Sequence, residues 1–202
     1  MINNKILSFI LKLDTNTIAE HRTKRLDKLI KHIKLDQDKN LKTQLNFICT
    51  HNSRRSQFSQ IWSSTFAYYF NHTNIFSFSG GTEVTETYKS VIKTLEKIGF
   101  KITQKSKSFN RHYQVDIYKT KKNITLYSKM YNCEMNPKTE FVAIMNCSNA
   151  DINCPIIPGA LSRFSLPYED PKSFDGNDDE LYQYSKTNIE IATSMKYLFE
   201  NI

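Results

Sequence analysis

Nine residues, CTHNSRRSQ at positions 49–57, constrain this chain more than any other stretch. They stand between the apolar alternation of Leu45, Phe47 and Ile48 and a run in which Phe58, Trp62, Phe66 and Tyr69 recur at helical spacing. A cysteine followed six positions later by an arginine, at a strand-to-helix turn, is what a thiolate site for a tetrahedral oxyanion requires. The strand fixes the Cys49 sulfur at the floor of the loop, and the amides of Thr50, His51, Asn52, Ser53 and Arg54 can curl around the anion. Arg55 closes the cradle, since its planar guanidinium holds two oxygens at once, and the N-terminus of the next helix adds partial positive charge. The same field favours thiolate over thiol and makes Cys49 a nucleophile. Asn52 and Ser53 suit a tight turn, and Ser56 brings a hydroxyl to where it can hold the sulfur. An isolated cysteine and arginine at this spacing are more often a buried thiol and a surface cation; the turn residues and the helical pattern favour the loop. Arg54 is an extra cation at the rim, suited to recruiting anions or to facing solvent.

These residues carry a resemblance. Cys-Thr-x-Asn-Ser-x-Arg-Ser-Gln resembles the loop of the low-molecular-weight protein tyrosine phosphatase superfamily, and is closest to its thioredoxin-coupled arsenate reductase branch. SGGTEV at 79–84 resembles the turn after the superfamily's second strand. CSNADINCPIIP at 147–158 follows a buried-strand run at 141–145 and resembles the reductases' redox segment, where a Cys, an Ala-Asp and a Cys-Pro-Ile-x-Pro recur in that order. Tyrosine phosphatases of the superfamily lack this cysteine pair. YEDPKSFDG at 168–176 resembles the general-acid loop, with Asp170 ahead of Pro171 and Asp175 as its local competitor. The likeness spans roughly residues 43–200 and is specific in these short motifs. It implies an α/β fold, a central four-stranded parallel sheet with helices on both faces, over a catalytic domain at 41–202.

The chemistry implied by the resemblance begins with the Cys49 thiolate attacking arsenate held by the loop amides and Arg55, while Asp170 protonates the leaving oxygen. Cys147 then attacks Cys49, arsenite leaves, and a Cys49–Cys147 disulfide remains. Cys154 attacks Cys147, and thioredoxin reduces the resulting Cys147–Cys154 disulfide. No metal, flavin or nucleotide cofactor is called for. Gln60 stands where the resembling reductases carry a glutamate near a potassium site, which gives no reason to expect potassium here. The same Cys49, Arg55 and Asp170 also suit a hydrolase of phosphotyrosine or another small phosphate ester, in which water cleaves a phosphocysteine and the other cysteines are spectators. Arsenate and phosphate share charge and shape, so the loop does not separate them; Cys147 and Cys154 favour the reductase. A noncatalytic phosphate-binding or partner-binding module is a third use of the scaffold, against which the complete Cys49, Arg55 and Asp170 set argues. Cys133 has no part in the resemblance and reads as a structural or incidental thiol.

Composition narrows the setting. A chain of 202 residues with 39% hydrophobic content and five each of Gly and Pro reads as globular. The apolar run at 6–13 is broken by Ser8 and Lys12, is too short for a bilayer and lacks a cleavage pattern, so a cytoplasmic protein without a membrane partner is expected. Four cysteines then read as thiols of a reducing compartment. The net charge of +8 is uneven: residues 101–129 carry eight Lys or Arg against one acid, whereas from 165 onward acids outnumber bases eight to three. The basic stretch reads as a solvated loop, and no zinc-finger, RNA-binding or basic-zipper signature points to nucleic acid.

Residues 1–40 read as a helical extension that the compact enzymes resembling the loop lack. Ile6, Phe9, Ile10 and Leu13 share one face, Leu26, Leu29, Ile30 and Ile33 another, and Thr17 with Glu20 has capping-box spacing. Packing on the domain is the ordinary use of such faces; dimerisation or a partner protein are the others. Residues 75–79 read as a second strand, followed by a helix with Val84, Tyr88, Val91, Ile92 and Leu95 on one face and Gly99 at its end. Residues 113–119 and 123–129 alternate like a hairpin, 165–167 suit a short edge strand, and Asn177 with Glu180 starts a last helix carrying Leu181, Tyr184, Ile191, Met195 and Leu198. His51 stands where the reductases have glycine, so a positive φ there would strain it.

Overall fold

Of residues 43–49 only Gln44 is not buried, the mark of a strand covered on both faces. The computed structural model describes residues 2–117, 123–153 and 156–202. In chain order, α1 (Asn4–Leu11) and α2 (Glu20–Asp38) precede β1 (Thr43–Cys49), α3 (Arg55–Tyr69), β2 (Ile75–Gly81) and α4 (Lys89–Ile98). Then come β3 (Lys101–Gln104), β4 (Tyr113–Asp116), β5 (Asn123–Leu126), β6 (Phe141–Met145), α5 (Ser148–Asn153), β7 (Ala160–Ser165) and α6 (Glu180–Glu200). Strands β2, β1, β6 and β7 form, in that order, the expected four-stranded parallel sheet. Parallel pairing aligns their carboxyl ends, where Cys49 sits opposite Gly81 and Ile48 opposite Met145.

The two-residue period of the strands sorts the core. Leu45, Phe47, Val142 and Ile144 face a large apolar cluster with Phe58, Ile61 and Trp62 of α3 and Ile191 and Met195 of α6. Ile48, Phe141, Ala143 and Met145 face the other way, onto Ala150 of α5 and Ile157. The N-terminal helices belong to the first layer: Ile6, Ile10, Leu26, Leu29 and Ile33 are buried in it, and Phe9 stacks on Trp62 with ring centroids 5.1 Å apart. Each such side chain contributes about 1.5–3 kcal/mol by leaving water. Packing on the domain is therefore what these apolar faces do. Among the described residues no helix is long and apolar enough to cross a membrane.

Several local expectations are corrected. Helix α2 begins after Ala19 with no side-chain cap, because Thr17 is spent in a 3-10 turn, its hydroxyl donating to the Asp14 carbonyl at 2.7 Å. Val84 lies outside α4 and is exposed; the stretch before that helix is tied to the Cys49 loop instead, by Glu83 N to Thr50 O (2.9 Å) and Tyr88 N to Ser53 O (3.2 Å). Gly99 ends α4 in the left-handed conformation as expected. The hairpin is present as β4 and β5, its turn at 118–122 lying outside the described residues, and β3 joins it as an unforeseen third strand. The last parallel strand is β7, just ahead of 165–167. Helix α6 has no Asn177 capping box, since the Glu180 carboxylate accepts from the Gly176 amide and from the Ser90 hydroxyl; Leu181 is exposed.

Candidate oxyanion site

Strand β1 ends at Cys49 and α3 begins at Arg55, so the connecting loop is built from residues 50–54. Cys49 is 4% exposed, and its Sγ accepts the Asn52 amide hydrogen at 3.2 Å and lies 3.1 Å from Ser56 Oγ. The direction of the latter bond follows from its neighbours. Asn52 Oδ1 accepts from the Lys129 amide at 3.2 Å, which turns Nδ2 toward Ser56 at 2.8 Å. Ser56 Oγ thus receives one hydrogen bond and has its own proton left for the sulfur. Two donors converge on the Cys49 sulfur.

The left-handed position in the loop is Asn52, with φ 47°, and not His51. Asparagine tolerates this region far better than most residues, so the strain anticipated at His51 is absent. The His51 carbonyl accepts from Ser128 Oγ at 2.7 Å and its ring Nε2 lies 3.2 Å from Glu83. Ser53 Oγ donates to Glu86 O at 2.6 Å, and Gln57 Nε2 to Asn52 O at 2.6 Å. Behind the loop, a Cβ on Gly81 would come within 2.6 Å of Thr50 O and 2.9 Å of Asn52 N, a close approach only glycine allows. Gln60 uses both amide ends, Nε2 on Ser77 O (3.2 Å) and Oε1 on Ser79 Oγ (2.6 Å).

Arg55 meets the loop that carries Asp170. Its Nη1 donates to Tyr168 O at 3.0 Å and its Nη2 pairs with the Asp170 carboxylate. Asp170 Oδ1 also accepts from the Lys172 amide at 3.1 Å, capping a 3-10 turn that opens on Pro171. Asp175 is engaged elsewhere, pairing with Arg54 and accepting from Tyr184 OH at 2.6 Å. Arg54 is therefore neither at the rim nor in solvent: it is buried, with Cζ 4.4 Å from the centroid of the Tyr88 ring. The stretch leading to Asp170 is braced from α2, a contact that local spacing gave no sign of. Arg22 Nη1 donates to Pro167 O at 3.0 Å, Arg22 Cζ lies 4.4 Å from the centroid of the Tyr168 ring, and Arg25 Nη1 donates to Ser165 Oγ at 2.7 Å.

Cys147 is 1% exposed at the start of α5, its Sγ accepting the Ala150 amide hydrogen at 3.4 Å and lying 3.5 Å from Thr50 Oγ1. Cys49 and Cys147 belong to one buried cluster with Ile48, Met145, Ala150 and Ile157. Asp151 fastens α5 to the sheet, pairing with Arg163 and accepting from Ser165 Oγ. Cys154 lies outside the described residues.

Residues 128–131 form a further wall of the loop, in which Lys129 is not the solvated base that the sequence suggests. Its amide meets Asn52, its carbonyl accepts the Gly81 amide at 2.8 Å, and Tyr131 O accepts from Asn46 Nδ2 at 3.0 Å. The Lys129 ammonium is buried without a hydrogen-bond partner among the described residues, 4.7 Å from the Tyr127 ring centroid. Burial pulls its pKa down to about 8 from an ordinary 10.5. Below pH 8 folding carries the whole cost of burying this charge. Between 8 and 10.5 the unfolded chain keeps a proton that the folded chain has released, so stability rises with pH. Lys129→Met should therefore stabilise the protein at pH 7 by about 3 kcal/mol and remove the rise. Urea unfolding from pH 7 to 9.5 checks this; a destabilised variant that keeps the slope contradicts it.

No family model matches the chain. Two arsenate reductases are similar in sequence. That of Brevibacillus brevis is 24% identical over 159 residues, covering 79% of this chain and 96% of the reductase. That of Halalkalibacterium halodurans is 23% identical over 160 residues, covering 79% and 96%. Among solved structures, the low-molecular-weight protein tyrosine phosphatase from T. tengcongensis superposes with a TM-score of 0.54 at 18% identity, over 79% of this chain and 99% of that one.

Proposed function

We propose that this chain, which belongs to the superfamily containing low-molecular-weight protein tyrosine phosphatases and arsenate reductases, reduces arsenate through a relay of cysteine thiols. The observation that carries this reading is the burial of Cys49 and Cys147 in one cluster at the carboxyl ends of adjacent strands, with Thr50 of the loop touching the second sulfur. A spectator thiol has no need of that position.

Arsenate enters the loop and takes the Arg55 guanidinium from Asp170, freeing the acid to carry a proton to the departing oxygen. The Cys49 sulfur attacks arsenic as a hydroxide leaves and is protonated to water. Cys147 then attacks Cys49: the S–As bond breaks, its electron pair stays on arsenic as arsenite, and a Cys49–Cys147 disulfide forms. Cys154 attacks Cys147 to release Cys49, and thioredoxin supplies the two electrons that restore the thiols. In the sequence Cys154 follows α5, and the relay has this short helix loosen, its Asp151 clasp being where it would open.

The contact of Arg55 with Asp170 serves a second reading equally, hydrolysis of a phosphate monoester, which needs that pair and Cys49 and no other thiol. The two readings part in one assay on the reduced protein: arsenate-dependent NADPH oxidation with thioredoxin and its reductase, beside p-nitrophenyl phosphate hydrolysis. The relay predicts the first activity. Hydrolysis alone would leave the second reading standing and reject the first.

A further inference from the structure

We propose that Arg22 of α2 is a positioning residue for the oxyanion clamp, setting Arg55 and Asp170 through Pro167 and Tyr168. Pro167 O and Tyr168 N belong to one planar peptide group. Arg22 Nη1 donates to the oxygen at 3.0 Å and the nitrogen donates to Asn146 O at 3.2 Å, so the plane is held at both edges. The same guanidinium lies over the buried Tyr168 ring, with Cζ 4.4 Å from its centroid. Plane and ring together aim the next carbonyl, Tyr168 O, which accepts from Arg55 Nη1 at 3.0 Å. Helix α2 stands ahead of the stretch that carries the family likeness, so this brace belongs to the chain's own extension.

The bond to Tyr168 O decides what Arg55 has left for an anion. It occupies Nη1 and leaves the Nε–Nη2 edge of the guanidinium, the fork that fits two oxygens. Arg55 Nε is buried without a hydrogen-bond partner among the described residues, and Nη2 holds the Asp170 carboxylate, just beyond Tyr168 in the chain. An oxyanion that displaces Asp170 meets both donors at once. Arg22 is anchored in its turn, its Nη2 pairing with Glu190 of α6. With its charge balanced there, Arg22 acts on the anion through the geometry of Arg55. The inference rests on the roles proposed above for Arg55 and Asp170, which reduction and hydrolysis share.

The test measures binding of inorganic phosphate to the full, reduced chain by isothermal titration calorimetry, for wild type, Arg22→Met, Arg22→Lys and Arg55→Met. Methionine keeps the aliphatic reach of Arg22 and loses its donors, whereas lysine keeps the charge and gives up the fork. We expect the dissociation constant to rise at least about tenfold in Arg22→Met. In Arg22→Lys it should rise about threefold, a loss that reports position because the charge is retained. A merely structural Arg22 would lower the unfolding temperature and leave phosphate affinity where it was. Unchanged affinity in both Arg22 variants, beside lost binding in Arg55→Met, overturns the inference and spares the roles beneath it. Phosphate bound as tightly by Arg55→Met as by wild type, or not bound by wild type at all, rejects those roles and the inference with them. If Arg22→Met does not fold, Arg22→Lys decides alone.

Discussion

Cys49→Ser should lower turnover of arsenate and of phosphate esters by at least about 10^4-fold while leaving inorganic phosphate able to bind. The reason lies in what surrounds the sulfur. The Asn52 amide and the Ser56 hydroxyl both donate to it, an arrangement that suits an anion. A serine hydroxyl at the same place would need a base to take its proton, and neither the Asn52 amide nor the Ser56 hydroxyl is one. On the proposed reading Arg55 and the loop amides hold the anion, and the Asn52 links to Ser56 and Lys129 hold the loop; the substitution removes none of these. Thermal unfolding with and without phosphate, run beside both activity assays, checks the two halves of this result. Residual turnover above about one part in a hundred would show that the nucleophile lies elsewhere.

Asp170→Asn is expected to cost about 10^2–10^4-fold, with the larger loss on esters whose leaving oxygen most needs a proton. The one carbonyl oxygen of asparagine can still accept from the Lys172 amide, which keeps the 3-10 turn, while its Nδ2 cannot accept from Arg55, so the substitution withdraws the proton and the ion pair together. The readout is the ratio of rates on an activated ester, whose leaving oxygen departs unaided, and on an unactivated one; that ratio should widen in the variant. Asp175→Asn provides the contrast. Its carboxylate pairs with Arg54 and accepts from Tyr184, so its loss should lower stability and leave that ratio unchanged. The reverse outcome, a widened ratio in Asp175→Asn and an unchanged one in Asp170→Asn, would exchange their roles.

What could be read ahead of the structure was what local pattern encodes. Strand β1 announced itself through the apolar alternation of Leu45, Phe47 and Ile48, and α3 through aromatics at helical spacing that become Phe58, Trp62 and Phe66 in the core. Gly99 at the end of α4 was equally visible, because a left-handed cap leaves a residue-type signature. The capping boxes misled because Thr17 and Glu180 had other partners within reach, a neighbouring turn for one and Ser90, far away in sequence, for the other. The same cause explains Arg54, captured by a tyrosine 130 positions on, and Arg22, which reaches 145 positions to Pro167. Spacing along the chain carries no trace of such contacts. Within the loop, the sequence reading tied any left-handed residue to His51 by likeness, whereas the chain gives that conformation to Asn52, whose side chain also bridges to Ser56.

The central claim, that Cys49 and Cys147 act on one another, is tested most directly by stalling the relay. Reduced Cys154→Ser protein is given arsenate without thioredoxin, its remaining thiols are alkylated, and its peptides are mapped while arsenite is counted. The account predicts one arsenite per chain and a Cys49–Cys147 disulfide. Arsenate left unreduced, with both cysteines alkylated, in protein that still hydrolyses p-nitrophenyl phosphate would contradict it.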